Sequence, residues 1–276
     1  YLEEKFNILN ADNYLNKVLN NTLSPKDTCI TFDDSLRCQY DIALPVLKKR
    51  KIKAFFFIYS SALTDDPDKL EIYRFFRNNH FNDIEEFYQM FFKLAYLEYG
   101  SAYEKAKDSY KTLDYLKEYP YYSSSDKWFR YLRDIVFNDE RYHKLMNTLI
   151  KELKFNIKSV FNKIWMTGKQ VKYLFKEGHE IGLHSYNHPT RISKLSYEEQ
   201  KLEYSSNLYH LESLIGKGNV RSMSHPCGSY NDITLQILKT LNIDIGFRAN
   251  LAVNYAKSNL EIPREDHANI MKLLNI

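Results

Sequence analysis

Cys29-Ile30-Thr31-Phe32-Asp33-Asp34-Ser35, followed 19 residues later by Ala54-Phe55-Phe56-Phe57-Ile58-Tyr59, sets the architecture. The first run is short, apolar and rich in β-formers up to Phe32, and the second is apolar throughout, so both read as buried strands. Between them Ile42 to Lys51 carries a leucine and valine stripe at helical spacing. Strand, helix and strand within ~30 residues form a βαβ unit, which implies a parallel sheet with a right-handed crossover. In such sheets chemistry gathers at the carboxyl ends of the strands. Asp33 and Asp34 fall at that end.

The same grammar returns late in the chain. Gln170 to Glu177 reads as a helix, and Gly178-His179-Glu180-Ile181-Gly182-Leu183 leads a strand into His184. Ser196 to Ile215 reads as a long helix, with Ser196 and Glu199 spaced as a capping box. Strand-like Val220 to Ser224 precedes His225-Pro226-Cys227-Gly228, and helix Ile233 to Leu241 precedes strand Ile243 to Phe247. From about 60 to 162 the strand signals give way to aromatic-rich helical stretches, Ile84 to Tyr99, Tyr103 to Tyr119 and Lys127 to Val136, which read as a helical insertion. Its aromatics fit core packing at helical spacing, and those left exposed suit the wall of a sugar cleft or a lid.

At 276 residues the chain fits one α/β barrel, which typically needs about 250. Hydrophobic and charged shares of 44% and 27% are those of a globular protein rather than a disordered one. The chain has 23 tyrosines and 17 phenylalanines, and a low-GC coding bias explains the enrichment in Tyr, Lys, Asn and Ile more simply than function does. A net charge of +4 without a block of like charges argues against a nucleic-acid partner. Lys48 to Lys51, the one compact basic run, reads as a solvated helix end. Cys29, Cys38 and Cys227 show no C-x-x-C spacing, which points to a reducing compartment without a disulfide framework or a structural zinc site. No apolar run approaches the ~20 residues of a membrane span, and the polar start has no signal-peptide core. The expectation is a cytoplasmic protein, peripheral at most to the inner membrane.

His184-Ser185-Tyr186-Asn187-His188 is followed by Pro189, which biases His188 away from helical geometry, so a strand-end loop presents the two histidines. Two histidines and one carboxylate form a three-ligand set for a divalent cation such as Zn²⁺, leaving a position open for water. A second carboxylate beside it would take a proton from that water, whose pKa a metal lowers to roughly 7. The Asp33-Asp34 doublet offers both roles.

These residues resemble the polysaccharide deacetylases of the NodB-homology group, carbohydrate esterase family 4, and more closely those of bacterial surface-polysaccharide clusters. Thr31 to Ser35 matches T-F-D-D-G with Ser35 in place of Gly. Glu180 to His188 matches H-[ST]-x-x-H in its usual setting, and Ser224 to Asn231 is similar to the third motif without its Arg or aromatic. The resemblance covers about 29–59 and 165 onward, leaving the insertion uncovered.

The resemblance implies a single domain over 1–276, a distorted (β/α) barrel with fewer than eight strands, and metal-dependent removal of an acetyl group from an N-acetylated sugar, nucleotide- or lipid-linked, during surface glycan assembly. It implies Asp34, His184 and His188 as ligands of a divalent metal, foremost zinc, and Asp33 as general base. The backbone N–H of Cys227 would stabilise the oxyanion. His267, in Ile262-Pro263-Arg264-Glu265-Asp266-His267, would protonate the leaving amine, with Asp266 or Arg264 steadying it and His225 as the competing acid. An O-deacetylase or deformylase on the same site, and a silent glycan-binding protein that keeps the barrel, are the alternatives. Oligomeric state is not readable from the sequence.

Overall fold

The computed structural model describes residues 1–116, 122–251 and 253–274. Contacts divide the chain into two compact units, one made of 1–68 with 162–276 and the other of 69–161.

The first unit is built on seven short strands: β1 (Asn7–Ile8), β2 (Asp27–Thr28), β3 (Thr31–Phe32), β4 (Phe55–Ile58), β5 (Glu180–Leu183), β6 (Ser222–Ser224) and β7 (Ile245–Phe247). β1 and β2 pair as a small parallel ribbon, and β3 to β7 form one parallel sheet whose spatial order is the chain order. Sequential parallel strands joined by helices curl toward a barrel; the distorted (β/α) barrel of fewer than eight strands expected from the sequence is here a curled sheet of five. Helices Leu44–Arg50, Gly168–Lys176, Tyr197–Ile215 and Asp232–Thr240 lie within two residues of their expected bounds. The capping box at Ser196 and Glu199 forms: the serine amide donates to the Glu199 carboxylate at 2.8 Å, and the serine oxygen accepts from the Glu199 amide.

β4 shows why the sheet is stable. All four of its side chains are buried, as a parallel strand covered on both faces requires. Phe56 and Ile58 enter one core with Leu174, Ile181, Leu183 and Leu211, while Phe55 and Phe57 enter another with Tyr14, Leu15 and Phe247. Helix Ala11–Leu19, which supplies Tyr14 and Leu15, thus closes the second face. Gly182 in β5 is required by close approach: a Cβ there would stand 2.5 Å from the Ser222 hydroxyl and 2.6 Å from its carbonyl.

The second unit is helical, with helices Leu70–Asn79, Ile84–Tyr110, Ser124–Tyr131 and Asp139–Glu152 around a core of its own that includes Phe76, Phe87, Phe91, Phe129 and Leu145. The sequence predicts two helices where the structure has one running from Ile84 to Tyr110, bent at Tyr99 (φ −137°, ψ 37°). The bend precedes Gly100-Ser101, a pair that favours kinks, so the break is a change of direction rather than an end. Part of the expected stretch Tyr103 to Tyr119, residues 117–119, lies outside the described residues. No helix among the described residues is long and apolar enough to cross a membrane.

Candidate metal centre

Three strand ends supply the site. The chain leaves β3 into Asp33 and Asp34, β5 into His184, and β6 into His225. Asp34, Ser35, Ser185, His188 and Cys227 all adopt left-handed backbone, with φ between 51° and 71°. A non-glycine residue pays roughly 1–2 kcal/mol for that conformation. Such strain concentrates where side chains must be aimed rather than packed.

The loop after β5 is braced on all sides. Asn207, fully buried in helix Tyr197–Ile215, accepts from the His184 amide at 3.0 Å and donates to the Ile58 carbonyl at 2.9 Å and the Ser60 hydroxyl at 2.7 Å. One helical turn earlier, the Glu203 carboxylate accepts from the Tyr186 amide, the Asn187 amide and the Asn187 side chain at 2.8–2.9 Å. The His188 amide donates to the Ser185 hydroxyl at 3.0 Å, and Tyr59 lies with its ring centre 5.4 Å from that of His188.

This bracing brings Asp34, His184 and His188 together, with their ligating atoms within 4.8 Å of one another. Asp34 Oδ1 stands 3.2 Å from Nε2 of each histidine. His184 places Nδ1 at 2.8 Å from the Ser224 carbonyl. A carbonyl only accepts, so Nδ1 carries a proton, and Nε2 is the nitrogen turned toward Asp34 and available to a metal. Tetrahedral zinc with bonds near 2.0–2.1 Å has ligand–ligand edges of about 3.3 Å, so the donor set fits such an ion in both chemistry and spacing. Burial opposes protonation of His184, but the charges of Asp33 and Asp34 outweigh it and raise its pKa. A field that favours a proton there favours a divalent cation as well.

Asp33 points into a different set of contacts. Arg264 donates to both of its oxygens, at 2.8 and 2.7 Å, and Ser224 donates to one at 3.1 Å. Arg264 is itself held by Thr31 at 3.1 Å, the Ser224 oxygen at 2.8 Å and the Arg248 carbonyl at 2.6 Å. Burial opposes ionisation of Asp33, yet the Arg264 guanidinium, helped by His184, holds its carboxyl below the usual carboxylate range. Arg264 and Ser224 are the members of this group that sequence reading did not assign to Asp33. A signal existed: the third motif lacks its arginine, and an arginine follows the apolar Ile262-Pro263.

The remaining site candidates are placed as follows. Cys227 sits at φ 51° in the short turn Pro226–Gly228 after β6, with its side chain exposed. His225 is fully buried, stacked on Tyr230 with ring centres 4.2 Å apart, and its Nε2 donates to the Leu260 carbonyl at 2.8 Å. Burial lowers its pKa to about 4, so it is neutral and turned away from solvent. His267 opens helix His267–Leu273 with its side chain 92% exposed, 3.3 Å from Asp266. Neither histidine contacts Asp33, Asp34, His184 or His188 by hydrogen bond or ion pair among the described residues. Arg264, expected to steady His267, is committed to Asp33 instead.

The polysaccharide deacetylase family model matches residues 20–80 and 137–246, more than half of the chain, and its two segments include both aspartates and both loop histidines. Among solved structures, the fold is similar to that of the Streptococcus pyogenes deacetylase PplD in complex with acetate, at 19% identity and TM-score 0.51 over 96% of this chain and 75% of that one. It is similar to IcaB from Ammonifex degensii, at 15% identity and TM-score 0.53 over 96% and 78%. It is also similar to the deacetylase domain of BpsB from Bordetella bronchiseptica, at 13% identity and TM-score 0.52 over 95% and 79%. At these identities the likeness is one of fold. No curated protein matches the sequence. On the family match, the chain belongs to the polysaccharide deacetylases of the NodB-homology group, carbohydrate esterase family 4.

Proposed function

We propose that this protein is a metal-dependent hydrolase that removes the N-acetyl group from an acetamido sugar, free in a polymer or carried on a nucleotide or lipid, in the making of a bacterial surface polysaccharide. The observation that carries the reading is a carboxylate held ionised by Arg264 beside a three-ligand cluster of Asp34, His184 and His188.

Asp34, His184 and His188 would hold the cation, and this mix of imidazole and carboxylate suits zinc. Once bound, the ion supplies Lewis acidity to the acetyl carbonyl. Asp33 accepts the proton of the attacking water, and Arg264 fixes which lone pairs it offers while keeping it ionised. The Cys227 amide, on the strength of its motif position after β6, is the proposed donor to the oxyanion. Water adds to the carbonyl carbon, the C–N bond breaks, and acetate and the free amine leave. His225 is sealed and neutral, and the proposed donor to the amine is His267, on its place in the sequence after Arg264.

The test is acetate release from a panel of N-acetylated sugars, UDP-linked, lipid-linked and polymeric, with zinc-loaded and chelator-treated protein compared. Metal-dependent acetate supports the reading. Release from O-acetylated or N-formylated substrates alone, or none from metallated protein, overturns it in favour of another acyl group or a binding role.

A further inference from the structure

Beside the metal loop, rather than within it, lies an open surface hollow with about 580 Å³ of space. Its walls are Tyr186, which stands between the two histidine ligands, and the outer face of helix Tyr197–Ile215, where Ser205, Ser206, Tyr209 and His210 reach it. Tyr209 is 79% exposed. A ring left this open on a helix that buries Tyr204 and Leu211 is not serving the core.

The lining contains no Lys, Arg, Asp or Glu. A phosphate, a nucleotide or a carboxylate would find no countercharge there, whereas an uncharged ring with hydroxyls at its rim would be matched. Thr64 and Ser213, also in the wall, spend their hydroxyl protons on the Ser61 and His210 carbonyls, at 2.8 and 2.6 Å. The Thr64 oxygen already accepts from the Asp66 amide at 3.3 Å and keeps one lone pair, and the Ser213 oxygen is left to accept. The Ser206 hydroxyl and the His210 imidazole make no hydrogen bond to protein among the described residues. Burial lowers the His210 pKa, so the ring is neutral at physiological pH and offers one donor and one acceptor.

We infer that this hollow is a second glycan subsite, taking an uncharged pyranose ring of the polymer whose acetamido unit occupies the metal centre. The two tyrosines supply amphipathic faces for the ring, and the serine, threonine and histidine groups bond its hydroxyls. The polymer's identity rests on the deacetylase reading; the subsite's chemistry does not. Tyr186 belongs to the loop that presents His184 and His188, so this wall is the point at which the hollow and the metal loop share a residue.

The experiment uses the full zinc-loaded chain with ¹³C-labelled tyrosine, titrated with N-acetylglucosamine and with its β-linked pentamer, followed by NMR. The pentamer is expected to shift the Tyr209 resonances. Tyr209→Ala should weaken pentamer binding by about fivefold, the loss of one aromatic contact, while Tyr209→Phe binds as the wild type. Acetate release from a single-sugar substrate should be the same in all three. Acetate release without a Tyr209 response, or equal pentamer affinity in Tyr209→Ala, overturns the subsite and leaves the deacetylase reading standing. A Tyr209 response without acetate release does the reverse. A pentamer that does not bind at all overturns the subsite.

Discussion

Arg264 grips Asp33 through two parallel hydrogen bonds, at 2.8 and 2.7 Å, across 231 residues of chain. The arginine side chain is 13% exposed and that of Asp33 26%, and a part-buried bidentate pair is strong and fixed in geometry. Arg264→Lys keeps the charge and loses the fork, so acetate release should fall by roughly 10²-fold with metal content unchanged. Arg264→Ala removes the charge that keeps Asp33 ionised. A base works only when deprotonated, so the acid limb of the pH–rate profile should move to higher pH, by about one pH unit or more. An acid limb that stays in place in Arg264→Ala would show that Arg264 does not set the ionisation of the base.

The two carboxylates of the doublet have different neighbours and should separate on substitution. Asp33→Asn is expected to bind zinc as the wild type does and to lose turnover by about 10³-fold. His184→Ala removes a ligand and should lose both metal and turnover. Metal analysis of the two purified variants beside their acetate release checks the division, and equal metal loss in both contradicts it.

Asn207 is not among the three clustered side chains Asp34, His184 and His188, yet its amide ties His184 to the end of β4 by three hydrogen bonds. Asn207→Ala leaves those partners unsatisfied in the core, a cost of roughly 2–4 kcal/mol. Loss of such a supporting partner also weakens metal binding by about 10–100-fold. Denaturant unfolding and zinc titration together test it. Unfolding that shifts while zinc affinity does not would confine Asn207 to the fold.

Ser35 stands where the family motif has glycine, and the structure shows its cost: φ is 59°, the residue is fully buried, and its hydroxyl has no partner among the described residues. Ser35→Gly relieves a left-handed strain of about 1 kcal/mol and an unsatisfied hydroxyl, against a glycine entropy cost of about 0.5–1 kcal/mol. A net gain of about 1 kcal/mol is expected in urea unfolding. A loss of stability would mean the hydroxyl is satisfied in solution.

His267 is the accessible histidine near the end of the chain, and its involvement is decided by one variant. If it protonates the amine, His267→Ala loses at least about 10²-fold in acetate release and the basic limb of the pH–rate profile disappears. Activity within twofold of wild type would remove it from the reaction and assign the proton to water or to Asp33.

Local pattern carried much of this protein. The apolar run Ala54 to Tyr59 specifies a strand because an alternation-free apolar stretch must be buried on both faces, and a parallel sheet does that; the shorter strands ending at Phe32, Leu183 and Ser224 pair in the same sheet. Once those strands are parallel neighbours, whatever follows each of them meets at one end, so the Asp33-Asp34 doublet and the two loop histidines were legible as neighbours from strand order, while the choice of Asp34 as the clustered carboxylate came from the family resemblance. The helix boundaries followed from caps such as Ser196 with Glu199, whose hydrogen bonds are made within four residues. What required the tertiary structure was every interaction between segments with no shared period. Nothing local to Ile262-Pro263-Arg264 says that its guanidinium returns to β3, because a salt bridge is chosen by which backbones are adjacent in space. The same reason separates His225 from His267: each is a polar residue next to a motif, and only packing decides that one is sealed under Tyr230 while the other faces water. The bend at Tyr99 belongs with these, since Gly100-Ser101 permits either a stop or a kink, and contacts along both halves of the helix Ile84–Tyr110 chose the kink.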